Sequence, residues 1–472
     1  MNVARTVAKN TAIIIAGQLA SRVISALVGI YLVRYLGSEG YGQFSLVVAY
    51  LFFFRIVADL GIDTIVVREI SKDKARGDEL VGNALAMKLS LSVIAVAAAW
   101  LVLFFIGYSS DIKLYVHVAS LAMLFSSGTL FAASFQAQLR MEYPVAVDIF
   151  TQLLSAGLTI LLITLKASIL AFFVLNVIIS LANATLLFYL GRNWIQPSIR
   201  FNWALWKALL LASLPMTLQT IFVMIYMRID QLLLFQVHGQ QALGYYSAAV
   251  KLTELISIIP VAFMTSLFPL MSVYAAGSVT SFVKAYELSF KYLMMVAIPL
   301  AVGITLVSRD LVLFLYGSEF PPAAPALAIL IWSEIVVFAG LVNNQILIAT
   351  NQQRWALIPT SAIAVANVAL CLWLIPRYSF VGASLATTVS YFVGPVLGYL
   401  IPAIRPCSVC MLRSAVKPIV ASGAMALVLL YTSLDLLPAA TLGAAVYVLT
   451  LVLLRGISWE DISLGKKALV GN

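Results

Sequence analysis

Charge is scarce in this 472-residue chain, where only 10% of residues are Asp, Glu, Lys or Arg. Cysteine and histidine are scarcer, with three and two copies. Three cysteines cannot build a disulfide framework. The Cys407/Cys410 C-x-x-C pair is half a zinc site or a redox couple at most, and no second pair completes a metal centre. His117 falls in an apolar span and His238 in an outer loop, too far apart to cooperate. His117 is open to two readings, a proton carrier or a packed polar residue. Long polar stretches are also missing. No interval between apolar runs exceeds about twenty residues, which leaves no room for a soluble domain. None of these residues calls for a metal or a cofactor.

What the chain has instead is apolar length. It is 62% hydrophobic, and its mean hydropathy is +1.03. The apolar runs recur at the length that crosses a bilayer, which places the chain among all-α integral membrane proteins. Fourteen spans are expected, the first beginning near Thr11, the seventh near Ala208 and the last near Leu436. The N-terminal span carries Arg22 and runs into Tyr31-Leu32-Val33-Arg34 without a small-residue cleavage site, so it reads as a helix and not as a cleaved signal.

The net charge of +10 resembles a nucleic-acid signature until it is sorted by loop. With the N-terminus inside, eighteen Lys and Arg fall on cytoplasmic segments, among them Arg5, Lys9, Lys74, Arg200, Lys466 and Lys467. Only Arg34, Lys113, Lys166, Arg309 and Arg377 fall outside. That asymmetry is a positive-inside bias, and it favours fourteen crossings with both termini cytoplasmic. The basic loops report topology, and no nucleic-acid partner is needed.

A repeat divides the chain. Gly37-Ser38-Glu39-Gly40-Tyr41-Gly42-Gln43-Phe44-Ser45 follows the first span, and Gly239-Gln240-Gln241-Ala242-Leu243-Gly244-Tyr245-Tyr246-Ser247 follows the seventh. Both read G-x-x-x-x-G-x-[F/Y]-S. The glycines permit a tight turn, and the aromatic suits a membrane interface. Six spans separate the two copies, so the halves are parallel repeats, an arrangement that places cargo between halves and rocks one against the other. The expected organisation is a first lobe at 1–206 with helices 1–6 and a second at 207–405 with helices 7–12. Two further helices and a cytoplasmic tail follow at 406–472. Pro215, Pro260, Pro299, Pro359 and Pro395 fall inside second-half spans, which puts bends there. Bending during function and fixed packing shape are both open.

The intramembrane charges are the candidate site. Arg22, Arg55 and Lys88 lie in the first three spans, where a central cation costs at least ~2.5–3.5 kcal/mol on insertion scales. With Arg228 they suggest a cationic cavity for anionic cargo, although internal ion pairs and snorkelling are the alternatives. Arg55 and Asp59 are four apart and Lys251 and Glu254 three apart, so each pair can close on one helix face as a structural ion pair. Arg228 and Asp230, two apart, must each look elsewhere. Asp148 and Glu334 are isolated acids; Asp230, Glu334 and Asp148 are candidates to take a proton or sodium ion, and Asp148 could instead pair with Lys88.

These residues carry a resemblance. Tyr31-Leu32-Val33-Arg34-Tyr35-Leu36-Gly37, Asp59-Leu60-Gly61-Ile62 and Val67-Arg68-Glu69 are similar to first-half motifs of the Wzx-type polysaccharide flippases. Those belong to the multidrug/oligosaccharidyl-lipid/polysaccharide exporter superfamily. Arg228-Ile229-Asp230, Gly244-Tyr245-Tyr246-Ser247-Ala248-Ala249 and Tyr316-Gly317-Ser318-Glu319-Phe320 match in the second half, and the resemblance extends to about residue 400. It implies two six-helix lobes facing each other, plus two C-terminal helices, in a prokaryotic cytoplasmic membrane. It also implies a polyprenyl-pyrophosphate-linked oligosaccharide as cargo, flipped to the outer leaflet and coupled to a proton or sodium gradient. Membrane lipids and other polysaccharide-assembly membrane proteins are the implied partners.

Three other classes compete. A multidrug antiporter shares the fold but carries organic cations, for which a mainly acidic cavity is expected. A membrane polymerase or ligase needs catalytic residues on a sizeable outer loop, and the outer loops here are short. A scaffold has no reason to keep so many intramembrane charges.

Overall fold

In a bilayer no water satisfies a free backbone N–H or C=O, so an apolar chain of this kind must fold as helices or as a closed barrel. It folds as helices. The computed structural model describes residues 3–73, 76–138, 140–192, 201–264, 267, 279–350, 352–402, 405–432 and 434–456, and among them there is no β-strand. Lys74, Arg200, Lys466 and Lys467 from the loop census lie outside the described residues, as do the side chains of Arg5, Lys9, Pro215 and Cys407.

Ten described helices are long and apolar enough to cross a membrane, or eleven if the bent pair Pro321–Leu330 and Ser333–Ile348 is one span. Three helices are far longer than one crossing requires. They are α1 (Val3–Asp59), α8 (Trp203–Ile256) and the helix Leu357–Leu400. A straight 57-residue helix would extend about 85 Å, against a hydrocarbon core of about 30 Å. Each is broken inside by one non-helical residue: Gly37 (φ 65°, ψ −178°), Gly239 (φ 78°, ψ −168°) and Ser379 (φ 52°, ψ −134°). None of these breaks falls on a proline. Pro299 and Pro395 sit inside described helices without being the non-helical residue.

The chain divides into two compact units, Met1–Ser247 and Ala248–Asn472. In the first, α1 is followed by α2 (Ile62–Lys72), α3 (Gly77–Phe105) and α4 (Ser110–Ser120). A 3₁₀ turn leads into α5 (Thr129–Ala137), then α6 (Glu142–Thr164), α7 (Ile169–Gly191) and the start of α8. Helix α2 is amphipathic. Ile62, Ile65, Val66 and Ile70 recur at helical spacing and pack on Leu80, Val81, Ala84 and Met87 of α3. Arg68, Glu69 and Lys72 pair with one another on the other face.

The two sequence repeats meet inside this unit. Gly37 and Gly239, the first residue of each copy, adopt the same extended, positive-φ conformation, one populated essentially by glycine alone. The sixth residues then cross. A Cβ on Gly42 would lie 1.8 Å from the Gln240 carbonyl oxygen, and one on Gly244 would lie 1.8 Å from that of Ser38. Position six of each copy thus packs on position two of the other, a reciprocal contact that only glycine allows. Side chains continue the seam: Gln43 donates to Gln240 (2.7 Å), which donates to Glu39 (3.1 Å). The motif aromatics are packed against the protein, with Tyr246 fully buried and Phe44 stacked on Phe173 at 5.1 Å.

In the second unit the core gathers Phe290, Met294, Ile331, Phe338 and Val342 around α9 (Val279–Tyr316). Tyr316 begins the Tyr-Gly-Ser-Glu-Phe motif and donates to the Ala248 carbonyl at 3.1 Å. The helices Arg405–Tyr431 and Leu436–Leu453 pack on α9 through Ala421, Met425 and Tyr447, whose hydroxyl donates to the Met295 carbonyl at 2.7 Å.

The crossing predicts a sharp contrast. Gly42→Val and Gly244→Val should each lose more than about 3 kcal/mol, because the clash is with backbone that cannot rotate away. Gly157→Ala, with nothing within 4 Å of its Cβ position, should leave thermal unfolding in detergent unchanged.

Candidate functional site: charged side chains in apolar helices

Helix α1 ends where Leu60 (φ 45°) and Gly61 (φ 68°) turn the chain, and the Thr217 hydroxyl donates to the Leu60 carbonyl at 2.9 Å. The break places Asp59 at the end of α1 and Asp63 in the first turn of α2. Both accept from the Lys88 ammonium of α3, each at 2.7 Å. The third proton of Lys88 goes to the Thr129 hydroxyl of α5 (3.0 Å), which donates on to the other oxygen of Asp63 (2.6 Å). Every donor of the ammonium is used. Lys88 is 1% exposed, Asp63 27% and Asp59 51%, so the cation is sealed while its acids reach outward.

This corrects three expectations. Asp59 pairs with Lys88 across helices, not with Arg55 on its own helix. Lys88 has no free charge to offer a cavity. Asp148 is not its partner, being exposed and accepting from Asn183 at 3.3 Å. Asp63 and Thr129 were missed in the sequence, because Gly61 breaks the helical register between Asp59 and the residues of α2. Two acids four apart across a Leu-Gly turn were the available signal.

Arg22 and Arg55 are different. Both are exposed, and neither has a hydrogen bond, ion pair or ring contact among the described residues. They lie on either side of Gly37, within the apolar stretch Leu19–Lys72. Arg228, the fourth expected cation, is half-buried, with its guanidinium 5.2 Å from the Phe52 ring centroid, a cation–π contact.

The other two candidate acids have partners. Asp230 is 2% exposed and accepts from the Gln231 backbone N–H (2.7 Å) and from the Tyr246 hydroxyl of the second glycine motif. Glu334 is 6% exposed and accepts from Ser257 at 2.6 Å. Lys251 and Glu254 lie 3.9 Å apart, a loose pair. His117 packs against Trp100, ring centroids 5.0 Å apart, with Nδ1 on the Lys113 carbonyl. Cys410 is half-buried beside Ser414.

Burial makes the Tyr246–Asp230 contact consequential. Tyr246→Phe should cost about 1–3 kcal/mol, the penalty for withdrawing a donor from a buried acceptor. Thermal unfolding of the purified protein measures it.

The chain is similar to known transporters along most of its length. A family model described as polysaccharide biosynthesis protein matches residues 7–275, and the MatE family model matches residues 215–373. The probable low-salt glycan biosynthesis flippase Agl15 of Haloferax volcanii is 24% identical over 377 residues, covering 78% of this chain and 77% of that protein. Among solved structures, the lipid II flippase MurJ in an inward closed conformation superposes with a TM-score of 0.75 at 14% identity, over 93% of this chain and 98% of that one. An inward-facing multidrug resistance MATE transporter of the MOP superfamily gives 0.61 at 16% identity, over 83% and 94%. With apolar helices throughout, this MurJ- and MATE-like fold and a family match over more than half its length, the chain is a multi-pass membrane protein of the polysaccharide biosynthesis family.

Proposed function

We propose that the chain is a flippase. It carries polyprenyl-(pyro)phosphate-linked oligosaccharide units from the cytoplasmic to the outer leaflet by alternating access, for cell-surface polysaccharide synthesis, and performs no covalent chemistry. Arg22 and Arg55 carry this reading: they are exposed cations without a protein partner among the described residues, each set among apolar neighbours in α1. A guanidinium at such depth is costly unless something anionic answers it. Its planar fork suits a phosphate or pyrophosphate head group, where charge-assisted hydrogen bonds are strongest. The flippase named among the relatives supports the same direction.

On this reading the three broken helices each cross twice and the bent pair Pro321–Leu330 and Ser333–Ile348 crosses once, which brings the crossings to fourteen with both termini cytoplasmic, in a prokaryotic cell membrane. Asp230, Glu334 and Asp148 remain the groups through which a proton or sodium gradient could act. Arg228, held over Phe52, supports the cationic surface from a half-buried position. Other polysaccharide-assembly membrane proteins are the partners to which the cargo would pass.

Export of organic cations is the second reading, favoured by the MatE match at residues 215–373 and the MATE-like structures. The two differ in the sign of the cargo, and uncompensated arginines repel a cation.

The test uses cells lacking the protein, complemented with wild type, Arg22→Ala or Arg55→Ala at matched membrane levels. Surface polysaccharide should fall about ten- to a hundredfold with either variant, since a charge-assisted hydrogen bond contributes roughly 1.5–3 kcal/mol. The lipid-linked unit should accumulate in the inner leaflet. Normal surface polysaccharide without the protein would contradict the proposal and turn attention to cation export.

A further inference from the structure

Arg55 and Asp59 stand one helical turn apart on α1, at the spacing that closes a salt bridge along a helix. No ion pair joins them. Asp59 gives its near oxygen to Lys88 at 2.7 Å, and Arg55 is left exposed without a partner among the described residues. The acid that should neutralise the arginine is claimed by a cation from another helix.

Lys88 is suited to that task. Its ammonium is 1% exposed and is fixed by three acceptors on three elements, Asp59 on α1, Asp63 on α2 and Thr129 on α5. A buried, fully coordinated cation cannot follow Arg55 outward or exchange with water. It holds Asp59 by a short charge-assisted contact and reduces the negative charge that Asp59 presents to its helical neighbour. Asp63 is held twice, by Lys88 and through Thr129, so Asp59 is the more loosely tied of the two acids. It is also the one within reach of Arg55.

We infer that Lys88 is a positioning residue that sequesters Asp59 and thereby keeps the Arg55 guanidinium free for an anionic ligand. The placement of Arg55 stands on geometry alone, and only its consequence for cargo rests on the flippase reading. Lys88 touches no ligand in this account. Its effect passes entirely through Asp59, so removing Asp59 must undo the effect of removing Lys88.

The experiment measures the rate at which phenylglyoxal, an arginine reagent, modifies Arg55 in the purified full-length protein, read by peptide mass spectrometry. Wild type, Asp59→Asn, Lys88→Met and the Lys88→Met/Asp59→Asn double variant are compared. Wild type and Asp59→Asn should react alike, because Asp59 is already occupied. Lys88→Met should react severalfold more slowly, as the released carboxylate captures Arg55, and the double variant should recover the wild-type rate. A purely structural role for Lys88 would show no such recovery. A wild-type rate in Lys88→Met, or faster modification in Asp59→Asn alone, would overturn the inference. If Lys88→Met cannot be recovered folded, Lys88→Gln with and without Asp59→Asn gives the same comparison, and faster modification in Asp59→Asn still overturns the inference. Binding of a short polyprenyl pyrophosphate to the same four proteins should follow the same order. Arg55 reactivity in that order with no binding to any of them would leave the positioning role standing and count against the flippase reading.

Discussion

A charge in an apolar helix must be answered, and how each charge is answered organises this molecule. Lys88 is answered by Asp59, Asp63 and Thr129, a network that ties α3 and α5 across the turn between α1 and α2. Asp230 is answered by Tyr246 and the Gln231 amide, and Glu334 by Ser257. Arg228 lies over an aromatic face. Losing a partner from a buried pair costs about 3–5 kcal/mol, less where one side is wet as at Asp59, so these contacts hold helices together. Arg22 and Arg55 stand outside this pattern, and the functional proposal is built on that exception.

Around the charges, glycine sets how near the helices come. The reciprocal crossing of Gly42 on Gln240 and Gly244 on Ser38 brings backbone to backbone with no room for a side chain. The second motif therefore falls in the same compact unit as the first, and Tyr246 reaches Asp230 from within that seam. A single sequence feature accounts for the turn, the crossing and the burial of an acid.

Much of this was legible in the chain itself. Apolar runs of crossing length gave the helical class, and the register of the two glycine motifs pointed to corresponding places in a repeat. Their mutual contact was not legible, because a motif reports its own backbone needs and not what it lies against. The candidate charges were visible as residue types, but their sorting was not. Helical spacing pairs Arg55 with Asp59, whereas the turn at Leu60-Gly61 swings Asp63 into place and gives Lys88 the stronger claim. Proline marks where a helix loses a hydrogen bond, whereas the residues that leave helical dihedrals are Gly37, Gly239 and Ser379.

Transport of an anionic lipid-linked sugar is the central claim, and leaflet exchange in a reconstituted membrane tests it most directly. The purified protein would be placed in liposomes carrying a fluorescent polyprenyl-pyrophosphate oligosaccharide, and its appearance in the opposite leaflet followed with time. The account predicts exchange that requires the protein and is competed by inorganic pyrophosphate but not by organic cations. Exchange no faster than in protein-free liposomes, under an imposed proton or sodium gradient, together with uptake of an organic cation, would contradict it.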